Sequence, residues 1–172
     1  IMSSDWSSDV CSSDLAGYAV DALPDAAAIV AAFRRAGALA ADLDVRLSFH
    51  PDQFVVLNSP RPDVVAKSIE ELSYQAEVAD WVGADVINIH GGGAYGDKTT
   101  ALTRLKEVLG SLPTAVRARL TLENDDRTYT PQDLLPVCRD LQVPLVYDVH
   151  HHRCLPDELS VADASEQALA TW

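Results

Sequence analysis

Four segments that we expect to be strands each end in a side chain that can bind a metal ion. His50 closes RLSFH, His90 closes VINIH and Glu123 closes LTLE. Asp148 closes PLVYD, and His151 follows shortly after it. Imidazoles combined with carboxylates suit Mn, Zn or Fe, whereas magnesium or calcium alone would not need imidazoles. The pattern therefore predicts a metal site to which four strands contribute.

The run of three histidines after Asp148 leaves one choice open. Asp148 and His150 share a face if the strand continues, because side chains alternate along a strand. His151 reaches the site only if the strand ends at Val149. The spacing by itself predicts that one of His150, His151 and His152 is a ligand and does not say which one.

The elements that carry these residues alternate between helix and strand. Strands are predicted at residues 45–50, 86–90, 120–123 and 145–149. Helices are predicted at residues 21–41 and 63–82, around residues 102–112, after Thr130-Pro131, and from residue 158 to an unfinished end at 172. Strands that alternate with helices indicate a parallel sheet, as in a barrel or an open doubly wound sheet.

The polarity of the strand faces favours the barrel. Asn88 and His90 share one face, and so do Thr121 and Glu123, whereas the residues between them are Ile or Leu. An open sheet with helices on both sides would be apolar on both faces. A polar face towards the strand ends is typical of the mouth of a TIM barrel, where the active site lies. We therefore expect an α/β fold, the central portion of a (β/α)8 TIM barrel with about four βα units and without the first and last strands.

Composition excludes several classes of protein. The 172 residues include 13 Lys and Arg against 26 Asp and Glu, a net charge of −13. This acidity disfavours nucleic-acid binding by bulk charge, but a metal-dependent nuclease stays possible because bound cations supply local positive charge. No run approaches the roughly 18 apolar residues of a membrane span. Three cysteines without CxxC spacing exclude a disulfide scaffold or zinc ribbon and suit a reducing cytosol.

Residues 1–15 differ from the rest of the chain. They read IMSSDWSSDVCSSDL, with Ser-Ser-Asp repeated and neither helical nor strand periodicity. The segment resembles translated sequencing-adapter DNA, and a natural Ser/Asp-rich tail is the alternative. We expect residues 1–15 to be non-native and residues 16–172 to form the partial barrel domain.

Four long motifs resemble the UV damage endonuclease family, DNA repair enzymes of bacteria and fungi with a xylose isomerase-like TIM barrel. The motifs are FHPDQFVVLNSP (49–60), INIHGGGAYGDK (87–98), LTLENDDRTYTPQDLLP (120–136) and YDVHHH (147–152). The resemblance covers about residues 21–172. It implies nicking of UV-damaged double-stranded DNA in the bacterial cytoplasm, immediately 5′ to cyclobutane dimers and 6-4 photoproducts, with a 3′-hydroxyl left behind.

The resemblance also implies a cluster of divalent metal ions, usually manganese, with two or three ions in the complete enzyme. By position, His50 and His90 would bind one ion, Glu123 would bridge, and Asp148 and His151 would bind a neighbouring ion. His90 and Glu123 are the residues on which we expect catalysis to depend. Further family ligands would come from strands beyond Trp172, so we expect this chain alone to be inactive or nearly so and prone to aggregate.

DNA contacts are implied for the loops at the strand ends. Gln53 and Phe54 match a Gln-aromatic pair that probes the duplex beside the lesion, and a phenyl ring can wedge into a base step. Packing at the barrel end is the alternative role of Phe54. The Gly91–Gly93 run is expected to let the backbone pass close to the metals or DNA. Phosphate contacts, with solvated loop charge as the alternative, are expected from Arg61, Lys98, Arg127 and Arg153.

Other functions stay open on the sequence. An apurinic endonuclease would differ only in the lesion that it prefers. A sugar isomerase or epimerase on the same barrel would leave Gln53 and Phe54 without a DNA role, and turnover of an aldose would identify it. A degraded fragment without function would be refuted by an intact parent gene that carries the later ligands.

Overall fold

A parallel sheet of four strands organises the fold. The structure is a computed structural model that describes Val20 and residues 23–172, so the predicted segment 1–15 lies outside the described residues. The strands pair in chain order and all in parallel. Their bounds are β1 Ser48–Phe49, β2 Val86–His90, β3 Leu120–Glu123 and β4 Leu145–Val146.

Helices connect successive strands, so the described residues form consecutive βα units, as the alternating pattern predicts. Their bounds are α1 Ala26–Asp42, α2 Pro62–Val82, α3 Lys98–Ser111, α4 Thr114–Arg117, α5 Pro131–Leu141, α6 Val149–Cys154 and α7 Val161–Leu169. Among the described residues, no helix is both long enough and apolar enough to cross a membrane.

Local sequence signals set two helix ends at the predicted places. The Thr130 side chain accepts a hydrogen bond from the Asp133 amide, and the Asp133 side chain accepts one from the Thr130 amide. Pro131 occupies the first turn, where its missing N–H costs nothing. At the end of α2, Gly83 adopts a left-handed φ of 71°, as expected of a helix stop.

Two predicted strands are shorter than expected. β1 covers only Ser48–Phe49 of the predicted 45–50. β4 covers Leu145–Val146 of the predicted 145–149. The Asp148 side chain accepts a hydrogen bond from the backbone amide of His151 and so caps the start of α6. The chain after Asp148 is therefore helical, and the alternative of a strand that continues to His150 is not adopted.

Two predicted helices also differ at their ends. α1 begins at Ala26 rather than at residue 21. The last helix begins at Val161. The side chain of Ser160 caps it by accepting a hydrogen bond from the backbone amide of Asp163. It ends at Leu169 instead of continuing to residue 172, and Thr171 Oγ1 accepts a hydrogen bond from the Leu145 amide.

The two faces of the sheet differ as the alternation predicts. Ile87 and Leu122 are fully buried in a core that includes Leu72 of α2 and Leu105 of α3. The opposite face of β2 and β3 carries buried polar side chains, namely Asn88, Thr121 and Glu123. Burying polar groups is unfavourable unless they are hydrogen-bonded. This polar face is therefore where a functional site is expected.

A glycine contact between α1 and α2 provides a test of the helix packing. A Cβ on Gly37 would lie 2.3 Å from the backbone oxygen of Val82, whereas one on Gly110 of α3 would meet nothing within 4 Å. We expect Gly37→Ala to lower the free energy of unfolding by about 1–2 kcal/mol, since overpacking outweighs the helix propensity of alanine. Gly110→Ala should raise it by about 0.5–1 kcal/mol. Urea denaturation measures both, and equal stabilities for the two variants would contradict the α1–α2 contact.

Candidate metal centre

The carboxyl ends of the strands bring all five predicted ligands together. In the first ligand group, His50, His90 and Glu123 each offer a ligand atom, and these atoms lie within 4.8 Å of one another. In the second ligand group, Glu123, Asp148 and His151 satisfy the same limit. Glu123 belongs to both groups. The geometry thus suits two neighbouring cations that share one carboxylate.

The two oxygens of Glu123 face different imidazoles. Oε2 lies 3.7 Å from Nε2 of His50, and Oε1 lies 3.4 Å from Nδ1 of His151. The His90 ring lies between these two rings, with centroids 5.2 Å from His50 and 5.6 Å from His151. Glu123 is placed opposite His90 in the register of β2 and β3. A carboxylate with this surrounding can serve as a bridge.

Buried polar side chains orient Glu123. Asn88 donates a hydrogen bond from Nδ2 to Glu123 Oε2, and Thr121 Oγ1 donates to Asn88 Oδ1 at 2.8 Å. All three side chains are buried. Hydrogen bonds of this kind fix the orientation of a metal-binding carboxylate. The alternation pattern identifies Asn88 and Thr121 as polar-face residues but leaves this role open.

Asn124 fixes the second ligand group. Its Nδ2 donates to the Asp148 carbonyl and its Oδ1 accepts from the Asp148 amide, both at 2.9 Å. The Asn124 carbonyl lies 2.9 Å from Nδ1 of His151. Because a carbonyl only accepts, Nδ1 carries the proton in this arrangement. Asn124 is fully buried, and its place directly after a predicted ligand is the one sequence signal that could have identified it.

Asp148 is poised to bind as a carboxylate. Burial alone raises its pKa, but the hydrogen bond from the His151 amide and the nearby imidazoles outweigh burial and leave the pKa below its usual value of 3.8. The group is therefore ionised at neutral pH, the form in which a carboxylate binds a cation.

One imidazole nitrogen in the site lacks a protein partner. Nδ1 of His90 is buried and has no hydrogen-bond partner among the residues that the structure describes. Buried polar atoms are nearly always paired, so an unpaired one at a strand end needs an explanation. Three imidazoles, two carboxylates and this unpaired nitrogen fit a first-row transition metal better than magnesium or calcium.

Of the three adjacent histidines, only His151 belongs to a ligand group, the second one. It lies three residues after Asp148, and that spacing places both side chains on one side of α6. His150 is exposed. His152 is buried, and its two ring nitrogens lie within hydrogen-bond distance of Tyr147 and Asp157 instead.

An open cleft of about 700 Å³ lies over these ligands. His50, His90 and His151 line it together with Gln53 and Arg127. The predicted probing residue Gln53 thus faces the same space as the ligands. Phe54 lies beside the cleft without lining it, and 46% of its surface is exposed.

The four predicted phosphate contacts differ in their surroundings. Arg127 lies in the loop after β3, and its side chain is 86% exposed. Arg61 and Lys98 start helices α2 and α3 and already pair with carboxylates, Asp63 at 2.5 Å and Asp133 at 2.8 Å. Arg153 lies within α6 and not in a loop, which corrects its predicted location. Arg127 is the member of this set that lines the cleft.

Asn58 joins the loops that carry Gln53, the glycine run and Arg127. Its Nδ2 donates to the Gly93 carbonyl at 2.7 Å and to the Tyr129 hydroxyl at 3.0 Å. Burial raises the pKa of Tyr129 to about 12, so its hydroxyl stays protonated and donates to the Gly93 carbonyl. Arg104 of α3 donates to the Asn58 carbonyl at 3.0 Å and is half-buried. These contacts fix the three loops around the cleft.

Comparison with known proteins identifies one family and several of its members as relatives of this chain. A sequence model of the family described as UV-endonuclease UvdE matches residues 7–172. The UV DNA damage endonuclease of Bacillus velezensis is 40% identical over 144 residues, which cover 81% of this chain and 45% of that protein. The enzyme of the same name from Bacillus cereus is 37% identical over 143 residues, with the same coverage. The chain thus spans about half the length of these relatives.

Solved structures agree with the fold. The crystal structure of SacUVDE superposes with a TM-score of 0.80 at 34% identity, over 84% of this chain and 50% of that one. Endonuclease IV from Thermus thermophilus superposes with a TM-score of 0.57 at 23% identity, over 85% and 55% of the two chains, and shows a shared fold. The predicted α/β fold, a segment of a TIM barrel, is confirmed. The chain belongs to the UV-endonuclease UvdE family.

Proposed function

We propose that the complete protein containing this chain nicks UV-damaged double-stranded DNA by metal-assisted hydrolysis of a phosphodiester. The cut is made on the damaged strand, immediately 5′ to cyclobutane dimers and 6-4 photoproducts, in the cytoplasm of a bacterium. The observation that carries the proposal is that Glu123 belongs to both ligand groups, whose three histidines line an open cleft. The names and bacterial sources of the relatives support the choice of substrate.

Each of the two ligand groups would hold one divalent ion. His50 and His90 would hold one divalent ion, Asp148 and His151 a neighbouring one, and Glu123 would bridge them. We propose manganese, two or three ions in the complete protein. Divalent ions at such a site lower the pKa of water and stabilise the attacking and leaving oxygens of a phosphodiester. Asn88 keeps the Glu123 carboxylate fixed, so no reorganisation of this group is needed during the reaction.

Residues around the cleft would engage the DNA. Gln53 faces the cleft, and the exposed ring of Phe54 beside it would enter the weakened base step at the lesion. A damaged step is poorly stacked, so it opens at lower cost than an intact one. Arg127 would contact a backbone phosphate, with Arg61, Lys98 and Arg153 as further candidates. Arg61 and Lys98 would first have to leave carboxylates that they contact at 2.5 and 2.8 Å, and Arg127 one at 3.8 Å.

Nicking of defined lesions tests this proposal. The complete gene product and Mn²⁺ are added to end-labelled duplexes that carry one thymine dimer, one abasic site or no lesion. We expect a cut directly 5′ to the dimer and an intact undamaged duplex. Cutting at the abasic site alone would assign an apurinic endonuclease. If no duplex were cut and an aldose were turned over, a sugar isomerase would replace the nuclease.

A further inference from the structure

The buried His152 has a complete set of partners that the metal centre does not use. Nδ1 of His152 lies 2.7 Å from the Tyr147 hydroxyl, and Nε2 lies 2.9 Å from Asp157 Oδ1. The side chains of His152 and Asp157 are only 4% and 7% exposed. The Tyr147 and His152 rings also contact each other edge to face, with centroids 5.5 Å apart. We call Tyr147, His152 and Asp157 the α6 clamp.

The chemistry of the partners sets the direction of the hydrogen bonds. An ionised carboxylate only accepts, so Nε2 of His152 carries the proton and donates to Asp157. In the tautomer with its single proton on Nε2, Nδ1 of His152 accepts from the Tyr147 hydroxyl. The Tyr147 hydroxyl and both ring nitrogens of His152 are therefore paired in one consistent arrangement.

Asp157 anchors the clamp to the rest of the fold. Its Oδ2 accepts from the Gln132 amide at 2.8 Å, in the first turn of α5. Its Oδ1 also accepts from the Leu159 amide at 2.8 Å, in the segment before α7. On the other side, Tyr147 directly follows β4 and packs against the core. The clamp thus connects α6, which has only six residues, to β4 and α5.

A helix this short does not hold its orientation by itself, because isolated helices below about 12 residues are marginal in water. Within α6, His151 points to Glu123, and the next residue, His152, points to the clamp. Any rotation of α6 about its axis would break the contacts of both residues together. The clamp and the second ligand group are therefore mechanically linked.

We propose that His152 is a positioning residue, which through Tyr147 and Asp157 holds α6 in the orientation that sets Asp148 and His151 opposite Glu123. The link to metal binding rests on the function proposed above, whereas the hold on α6 does not. The His152 side chain belongs to neither ligand group and does not line the cleft. Its contribution to metal affinity would therefore be indirect, through Asp148, which caps α6, and His151, which lies within it.

Two substitutions in the complete protein test the proposal. Tyr147→Phe removes one hydroxyl and leaves Nδ1 of His152 unpaired. His152→Gln keeps a donor for Asp157 and loses the ring. Cys154→Ser serves as the control, because this exposed residue lies on the same helix and belongs to neither the clamp nor the ligand groups. Deuterium exchange of peptides that cover α6 is followed by mass spectrometry without metal, and Mn²⁺ affinity is measured by the electron paramagnetic resonance of free Mn²⁺.

In both clamp variants we expect α6 amides to exchange about five- to tenfold faster, with unchanged exchange in α3. The Mn²⁺ dissociation constant should rise about 10- to 100-fold, as for other residues that orient metal ligands. Cys154→Ser should match the wild type in both measurements. Unchanged α6 exchange in both variants would overturn the proposal, and so would faster exchange with unchanged Mn²⁺ affinity. A wild-type protein that bound no Mn²⁺ would overturn the proposed function, while faster exchange in the variants would still support the clamp.

Discussion

Glu123→Gln in the complete protein is expected to lower the rate of nicking beside a thymine dimer by at least about 1000-fold. Glutamine keeps the size of the side chain and an oxygen for the Asn88 hydrogen bond, so the fold is retained. It removes the one negative charge that both ligand groups share. Loss of about 4 kcal/mol of transition-state stabilisation corresponds to this factor. Single-turnover nicking of an end-labelled duplex at saturating enzyme measures it.

A glutamate on the outer surface provides the control for this substitution. Glu107 lies on the exposed side of α3, away from the cleft. Glu107→Gln makes the same change of charge and should nick at the wild-type rate. Activity of Glu123→Gln within tenfold of the wild type would contradict a bridging role for Glu123. The proposed assignment of Glu123 as the ligand shared by both metal ions would then be wrong.

Gly92→Ala is expected to destabilise the protein by about 4 kcal/mol, the largest effect on folding that we predict. Gly92 has a φ of +84°, which an alanine adopts only under strain. A Cβ would lie 2.2 Å from Asn58 Oδ1 and 3.0 Å from Val56 Cγ1. Strain and overpacking each contribute about 1–3 kcal/mol. Urea denaturation monitored by circular dichroism measures the loss.

Gly83→Ala separates the two contributions. Gly83 has a similar φ of +71°, but a Cβ there would meet nothing within 4 Å. Its substitution should therefore cost only the backbone strain, about 1–2 kcal/mol. If both glycine substitutions cost the same, the close approach of Gly92 to Asn58 would be refuted. The loop that carries Gln53 would then not depend on the glycine run.

The central part of the fold could be predicted from the sequence because its signals are local. β2 and β3 have the predicted bounds, since apolar and polar residues alternate from Ile87 to His90 and along all of β3, which defines both faces of a strand. α5 begins where Thr130 and Pro131 predict, because capping involves residues only three positions apart. The same alternation placed His90 and Glu123 on one face, where the structure has them side by side.

The parts that could not be predicted depend on competition or on distant partners. The end of β4 was undecided because an extended chain and an Asp148-capped helix are both compatible with the local sequence. Asn58, Tyr129 and Arg104 are far apart in the chain, so periodicity carries no information about their contacts. The predicted role of the Gly91–Gly93 run was incomplete for this reason, since Gly92 packs against Asn58.

The run of histidines on α6 also bears on how the gene can tolerate insertions and deletions. The ligand position is the third after Asp148, and the clamp position is the fourth. A single codon inserted directly after Asp148 would move His150 into the ligand position and His151 into the clamp position, so both would still hold an imidazole. Deletion of Val149 would bring His152 to the ligand position but Arg153 to the clamp position. The three histidines therefore keep an imidazole at both positions after an insertion, but only at the ligand position after a deletion.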